Sequence, residues 1–379
     1  MKALFTTFPA YGHLLPMLPL ARAAAAAGDQ VVVAASEDLH RTADDLTMRA
    51  LGPSLPELLA ETNSRFGEDV LGYRSDSSQL LDATVALFTT IRADMAFDAL
   101  RAQVVDERPD VIVAEMWDYV APLVARQLDI PLVTFVHSPA TAIDEVLDAG
   151  LVRALTQRGL TMPAPVAAVQ LWPNWLETEP NAPGGEASLA LRAAPYDTTE
   201  VVDIPAFDGA RPVVLVTLGT VVEDLTLLNA AVRGVLDAGA DALVTTGFTA
   251  TPEAVAGDPD RVRAVPFAPI GQLLDRVQAV VAAGGSGTTL AALSRGLPMA
   301  FVPRIANQPI VAAAVADFGA GVVSGEDSAA VTSAVRALLH EPRLRDRAQA
   351  ASERLSQRPS PGEVWVALRD RVPHTSTVR

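Results

Sequence analysis

Short apolar runs alternate with amphipathic stretches along this chain of 379 residues, and the alternation restricts the folds open to it. In the first half the apolar runs are nearly continuous, which is typical of strands buried on both faces of a sheet. They lie at residues 2–8, 30–35, 110–115 and 131–136. Helical spacing is found at residues 15–27 and 118–128. Strands that alternate with helices predict a parallel sheet covered by helices on both faces.

A second series of the same kind begins near residue 211. Its predicted strands are residues 212–217, 242–246, 262–265, 279–282, 299–302 and 321–323. Its predicted helices are residues 225–238, 288–295, 310–318 and 328–339, and a final helix is predicted within 359–372. Residues 161–208 are rich in Pro and Gly, which predicts loops and an interdomain linker. The fold class is therefore α/β, with two doubly wound Rossmann-like domains that face each other across a cleft.

The charge and composition exclude several classes of protein. The net charge is −16, and Lys and Arg form no cluster along the chain. Because nucleic-acid binding needs a basic surface, we expect no nucleic-acid partner. The absence of cysteine excludes disulfides, thiolate nucleophiles and thiolate zinc sites. No apolar run approaches the roughly 18 residues of a membrane span, and residues 1–16 do not resemble a signal peptide. We therefore expect a soluble, cytoplasmic protein.

A glycine-rich turn follows the predicted strand at residues 279–282. Its sequence, GGSGTT, occupies residues 284–289 and opens a helix expected to begin near Thr288. Small residues let a ligand approach the backbone closely, and the free N–H groups of a helix N-terminus attract anions. The alternative is an ordinary tight turn with a Ser or Thr cap. Gly219 and Thr220 end another strand and offer weaker evidence of the same kind.

His13 is expected in the loop after the first strand, which is a position where this fold binds ligands. An imidazole there is suited to general-base catalysis, although a capping role is the common alternative. Glu115 and Asp118 follow a later strand, and each is a candidate to orient that imidazole. The alternative is that Glu115 only ends the strand and Asp118 caps the helix after it. His137 also ends a strand and is interpreted as part of a turn or cleft wall. His40, His340 and His374 are assigned to the surface, and no pair of His has metal-ligand spacing.

Three long segments together resemble the GT-B nucleotide-sugar glycosyltransferases, in particular the bacterial branch that acts on macrolide, polyketide and enediyne aglycones. Residues 8–23, FPAYGHLLPMLPLARA, resemble the family's N-terminal GHxxPxxxLA segment. Residues 214–224, VLVTLGTVVED, resemble the opening of its donor domain, and residues 265–321 its donor signature. The resemblance covers the whole chain.

The resemblance implies an acceptor-binding domain with linker at residues 1–205, a nucleotide-sugar domain at 206–358, and a C-terminal helix at 359–379 that packs back on the first domain. It implies inverting, metal-independent transfer of a (deoxy)sugar from dTDP or UDP to a hydroxyl of a hydrophobic acceptor, without a cofactor. His13 would be the base and Glu115 its partner, with Asp118 as the other candidate. Loops at residues 51–79 and 146–183 would contact the acceptor, and a homodimer is one candidate assembly. The residues implied to lie around the donor are Thr220, Val265, Ile270, Ala283, Gly285, Ser286, Gly287, Thr288, Arg304, Asn307 and Gln308.

Two residues of the donor signature depart from the family pattern. Ala283 stands where the family has a His that contacts the diphosphate, and Asn307 stands where it has an Asp. Arg304 is a candidate to supply the missing positive charge. These departures leave two alternatives to a glycosyltransferase: a non-catalytic auxiliary or binding protein, and an enzyme that uses the acceptor cleft for a reaction without a nucleotide sugar.

Overall fold

A computed structural model describes the greater part of the chain. The described residues are 1–67, 70, 79–161, 163–177, 188–197, 202–204, 206–220, 224–248 and 250–373. Their contacts divide the chain into two compact units. Unit 1 comprises Met1–Leu171, Asn181–Leu191 and Pro359–Arg379, and unit 2 comprises Trp172–Pro180 and Arg192–Arg358. His374, predicted to be at the surface, lies outside the described residues.

Each unit is built on one parallel sheet. The seven strands of unit 1 are β1 Lys2–Thr6, β2 Gln30–Ala35, β3 Thr47–Ala50, β4 Val111–Glu115, β5 Leu132–Val136, β6 Ala167–Gln170 and β7 Ser188–Ala190. Their order is β3-β2-β1-β4-β5-β6-β7. The six strands of unit 2 are β8 Val213–Thr217, β9 Asp241–Thr245, β10 Val262–Val265, β11 Ala279–Ala282, β12 Met299–Phe301 and β13 Gly321–Val323, in the order β10-β9-β8-β11-β12-β13. The predicted α/β class with two doubly wound sheets is confirmed.

Helices connect the strands and cover the sheets. In unit 1 they are α1 Tyr11–Leu14, α2 Leu18–Ala26, α3 Leu55–Phe66, α4 Leu80–Ala86, α5 Arg92–Glu107, α6 Val120–Leu128 and α7 Ala142–Gln157. A π-helical turn, Leu87–Ile91, joins α4 to α5. In unit 2 they are α8 Leu225–Asp237, α9 Ile270–Leu274, α10 Ser286–Ser294, α11 Gln308–Phe318, α12 Ser328–His340 and α13 Pro342–Ser356. No helix among the described residues is long and apolar enough to cross a membrane.

Several sequence predictions of loops were wrong. The segment at residues 161–208 contains β6 and β7, which are strands of four and three residues that carry no long apolar run. Strand β3 was also missed, because it is mostly exposed and lacks the continuous apolar residues of a buried strand. The predicted acceptor loops contain α3 and most of α7, each of which begins at a capping box.

The C-terminal helix α14, Pro361–Arg369, belongs to unit 1, where it packs against α2. Ser360 and Glu363 form a capping box at its start. The side chain of Trp365 is fully buried, and its indole N–H donates to Asp29 at 2.7 Å. Its ring lies 6.0 Å from that of Phe5, so the last helix packs over β1 in the interior of the first sheet.

A glycine determines how closely α8 and α12 approach in unit 2. A Cβ added at Gly234 would lie 2.6 Å from Cβ of Val331 and 2.9 Å from the carbonyl oxygen of Ser328. We expect Gly234→Ala to lower the free energy of unfolding by about 1–3 kcal/mol, because overpacking outweighs the gain in helix propensity. Denaturant unfolding measures this change. Gly362→Ala in α14 is the matched control, since its added Cβ meets no atom within 4 Å; equal stability of both variants would contradict the prediction.

Candidate active site

Three neighbouring strands of unit 1 end at one edge of the sheet. Strands β1, β4 and β5 are adjacent and parallel, so the segments that follow them meet there. Glu115 is the last residue of β4, His137 directly follows β5, and His13 lies a few residues beyond β1. The fold thus brings together three side chains that are far apart in the sequence.

His13 lies in a one-turn helix rather than in the predicted loop. Helix α1 begins after Ala10, whose backbone is extended, and the His13 N–H donates to the Ala10 carbonyl at 3.0 Å. Its side chain is 14% exposed, and Nδ1 lies 3.0 Å from Oε2 of the fully buried Glu115. This contact has the distance of an ion pair but not the angle of a hydrogen bond. An ionised carboxylate only accepts hydrogen bonds, so a proton on Nδ1 is favoured beside it, and we infer that the lone pair of His13 lies on Nε2.

The second oxygen of Glu115 is also occupied. Oε1 accepts from the backbone N–H of Trp117 at 3.0 Å and lies 2.8 Å from Nε2 of His137. Burial alone would raise the pKa of Glu115, but its interactions with the two imidazoles outweigh burial and hold this pKa well below its ordinary value. Glu115 is therefore an ionised carboxylate in a buried position.

His137 is the residue of this site that the sequence analysis missed. It was interpreted as part of a turn or cleft wall, but its side chain is buried and contacts Glu115. The signal that could have pointed to it is that it directly follows an apolar run; the structure adds that this strand, β5, is the neighbour of β4.

Asp118 is not part of this cluster. Among the described residues His13 is paired with Glu115 and not with Asp118. Helix α6 begins at Val120, with Tyr119 between it and Asp118 in a helical conformation, so Asp118 lies just before the helix start. Burial raises the pKa of Asp118, while the charge of the buried Arg92 opposes that rise. We therefore assign Asp118 to the buried interior rather than to the reacting groups.

Buried aromatic rings pack against His13. The ring centroids of Phe8 and Trp117 each lie 5.2 Å from the imidazole, and Phe88 lies 4.5 Å from Phe8. Trp117 is held by a hydrogen bond from its indole N–H to Asp144 at 2.9 Å. The imidazole is thus placed in apolar surroundings that suit an apolar ligand.

His13, Glu115 and His137 also form a group that could hold a metal ion. Their ligand atoms lie within 4.8 Å of one another, although the sequence spacing had suggested no metal-ligand set. The contact of His137 with Glu115, at 2.8 Å, is a hydrogen bond, and the contact of His13 with Glu115, at 3.0 Å, has the distance of an ion pair. We therefore interpret the group as two imidazoles that are paired with one carboxylate.

In unit 2 the glycine-rich segment forms the N-terminus of α10. The helix begins at Ser286, two residues earlier than predicted, with Gly285 as N-cap. The N–H groups of its first turn belong to Ser286, Gly287 and Thr288, which have no acceptor within the helix. Gly284 has φ of +99°, and a Cβ there would lie 2.9 Å from the carbonyl oxygen of Gln308. Glycine is therefore required at this position by both backbone conformation and space.

The segment from Arg304 to Gln308 lies beside this helix start, because β12 is the neighbour of β11. The Gln308 carboxamide oxygen accepts from the backbone N–H groups of Arg304 and Ile305, so it supports the loop itself. The Asn307 amide donates to the hydroxyl of Ser286 at 3.2 Å. Arg304 forms ion pairs with Asp224 at 3.0 Å and Glu326 at 3.4 Å. The guanidinium is thus already paired, and a role as substitute cation would require it to leave these carboxylates.

The remaining predicted donor residues lie in three places. Thr220 lies shortly after β8, the strand that pairs with β11, and it is half-buried. Ala283 is buried directly after β11. Val265 is a buried residue at the end of β10, and Ile270 begins α9 with a half-buried side chain. The side chain of Val265 therefore offers little surface for contact with a nucleobase.

Comparison with known proteins identifies the family. The family described as erythromycin biosynthesis protein CIII-like, C-terminal domain, matches residues 230–370. The elloramycin glycosyltransferase ElmGT of Streptomyces olivaceus is 31% identical to this chain over 97% of both proteins. The chain belongs to this family of antibiotic glycosyltransferases. L-demethylnoviosyl transferase of Streptomyces niveus is another relative, 28% identical to this chain over 97% of both proteins.

Solved structures of glycosyltransferases share the fold. The crystal structure of glycosyltransferase VinC in complex with dTDP is 26% identical, covers 98% of this chain and 99% of its own, and superposes with a TM-score of 0.78. The Streptomyces sp. SF2575 glycosyltransferase SsfS6, complexed with thymidine diphosphate, has a TM-score of 0.80 at 24% identity over 98% and 99% of the chains. The resemblance to GT-B glycosyltransferases is confirmed, and the chain is a glycosyltransferase enzyme. The assignment of individual site residues stays a prediction.

Proposed function

We propose that this glycosyltransferase transfers a (deoxy)sugar from a dTDP- or UDP-sugar to a hydroxyl group of a hydrophobic natural-product aglycone, with inversion at the anomeric carbon. The observation that carries the proposal is the contact of 3.0 Å between His13 Nδ1 and the buried, ionised Glu115. A carboxylate behind an imidazole holds the tautomer whose outer nitrogen can accept a proton. That is the arrangement a general base for a hydroxyl nucleophile needs.

The reaction proposed for this arrangement is a single displacement. Nε2 of His13 accepts the proton of the acceptor hydroxyl, and the hydroxyl oxygen bonds to the anomeric carbon of the sugar. At the same time the bond from that carbon to the diphosphate oxygen breaks. Glu115 stabilises the imidazolium that forms. Because one nucleophile displaces one leaving group from the opposite face, the configuration at the anomeric carbon inverts.

The names of relatives support the class of acceptor and donor. They include aclacinomycin-T 2-deoxy-L-fucose transferase and tylactone mycaminosyltransferase, which share 28% and 27% of their aligned residues with this chain. The rings of Phe8 and Trp117, each 5.2 Å from the imidazole, give His13 the apolar surroundings that suit such an acceptor. We place acceptor binding in residues 1–205 and donor binding in residues 206–358.

The donor diphosphate is proposed to bind at the N-terminus of α10. Backbone N–H groups of Ser286, Gly287 and Thr288 would donate to it, and the helix dipole favours the negative charge that develops on the leaving group. Ala283 lacks the imidazole of the family pattern. A hydrogen bond to a charged group contributes about 1.5–3 kcal/mol, so this loss weakens donor affinity by about 10- to 150-fold without removing the backbone donors.

Calorimetric titration with dTDP and with UDP, followed by turnover assays, tests the proposal. We expect saturable binding of at least one nucleotide, and glycosylated product only when the matching nucleotide sugar is present. The anomeric configuration of the product, determined by NMR, should be opposite to that of the donor. Absence of binding by both nucleotides, or turnover that does not depend on a nucleotide sugar, would contradict the proposal.

A further inference from the structure

The inference concerns His137, the second imidazole on Glu115. His137 directly follows β5, its side chain is 4% exposed, and its Nε2 lies 2.8 Å from Glu115 Oε1. Its ring meets that of Trp117 edge-on at 5.7 Å, and the ring of His13 lies 5.2 Å away. His137 therefore has no free approach to a large acceptor, and its polar contact is with the carboxylate.

The two oxygens of Glu115 are held by different partners. Oε2 faces His13 alone, whereas Oε1 receives the backbone N–H of Trp117 and faces His137. Burial of an ionised carboxylate costs desolvation free energy, and hydrogen-bond donors around it offset that cost. Because the Oε1 oxygen is held by two donors from the segments that follow β4 and β5, the carboxylate plane is fixed, and with it the direction in which Oε2 meets His13.

We propose that His137 is a positioning residue for the base: its Nε2–H holds Glu115 ionised and oriented, so that His13 keeps its Nδ1–H tautomer and directs the Nε2 lone pair at the acceptor. This inference rests on the proposed function of His13. During transfer the acceptor proton moves to His13 Nε2 and is later released to water. His137 keeps its own proton throughout.

Three substitutions at His137, which shift or remove its hydrogen-bond donor, test the inference. Gln can place an amide N–H near the position of the imidazole Nε2, whereas the shorter Asn places it near Nδ1, and Leu removes the donor. With saturating nucleotide sugar, we expect His137→Leu and His137→Asn to lower kcat by about 10- to 100-fold, and His137→Gln to recover most of it. The Kd for dTDP should not change in any of the three, because the substitutions leave unit 2 untouched.

A double-mutant cycle distinguishes this inference from the proposed function. If His137 acts through Glu115 and His13, His137→Leu should have no further effect on kcat in a His13→Ala background. Full activity of His13→Ala would overturn the base assignment. Loss of activity in His13→Ala together with full activity in His137→Leu would overturn only the role of His137.

Two further outcomes would overturn the positioning role. Should His137→Leu fail to fold, the comparison of Asn with Gln decides, and equal kcat values for those two variants would contradict it. Loss of activity after treatment with a chelator, restored by Zn²⁺, would show that His13, Glu115 and His137 hold a metal ion instead.

Discussion

Replacement of His13 with alanine should lower kcat for sugar transfer by about 10²- to 10⁴-fold, the usual contribution of a general base. The reason is that Nε2 of His13 is the nitrogen left free by the contact between Nδ1 and Glu115. Steady-state kinetics with saturating donor and acceptor measure the effect. The Kd for dTDP should remain unchanged, because His13 belongs to unit 1 and the proposed diphosphate site to unit 2.

The matched control is His340→Ala, which removes an exposed imidazole from the end of α12. Its kcat should equal that of the wild type. Retention of more than about one-tenth of wild-type kcat in a folded His13→Ala variant would contradict the base assignment, given the range for general bases. A larger loss in Asp118→Ala than in Glu115→Ala, with both variants folded, would show that the carboxylate partner had been misassigned.

The sequence predicted the central strands well and the edges of the first sheet poorly. Strands β4 and β8 are buried and apolar in four of their five residues, a pattern that depends only on local composition. Strands β3, β6 and β7 have only three or four residues and lie toward the edges, so each depends on pairing with its neighbour and carries too short an apolar pattern to be recognised. Such pairing is a property of the tertiary fold.

The site was predictable to the extent that it depends on strand ends. His13 and Glu115 were found because each follows a clear apolar run, and adjacent parallel strands bring their ends together. His137 was missed although it satisfies the same condition, because the sequence does not show which strands are neighbours. The ion pair of Arg304 with Asp224 joins residues 80 positions apart, so no local pattern could have indicated it.

Gly284→Ala should weaken dTDP binding by about 10-fold or more, the equivalent of at least about 1.4 kcal/mol. At φ of +99° an alanine is strained, and its Cβ would lie 2.9 Å from the carbonyl oxygen of Gln308. Strain of this kind costs about 1–3 kcal/mol, and it is relieved only if the glycine-rich segment moves away from α11. Such a movement turns the N–H groups at the start of α10 away from the position where they would meet a diphosphate.

Gly285→Ala is the matched control, since its φ is −63° and an added Cβ meets no atom within 4 Å. Calorimetric titration with dTDP, together with thermal unfolding, should show a smaller loss of affinity and an unchanged Tm for Gly285→Ala. The comparison separates distortion of the helix start from the mere addition of a methyl group. If Gly284→Ala stays folded and binds dTDP as tightly as the wild type, the diphosphate does not depend on the N-terminus of α10, and the donor site must be sought elsewhere in unit 2.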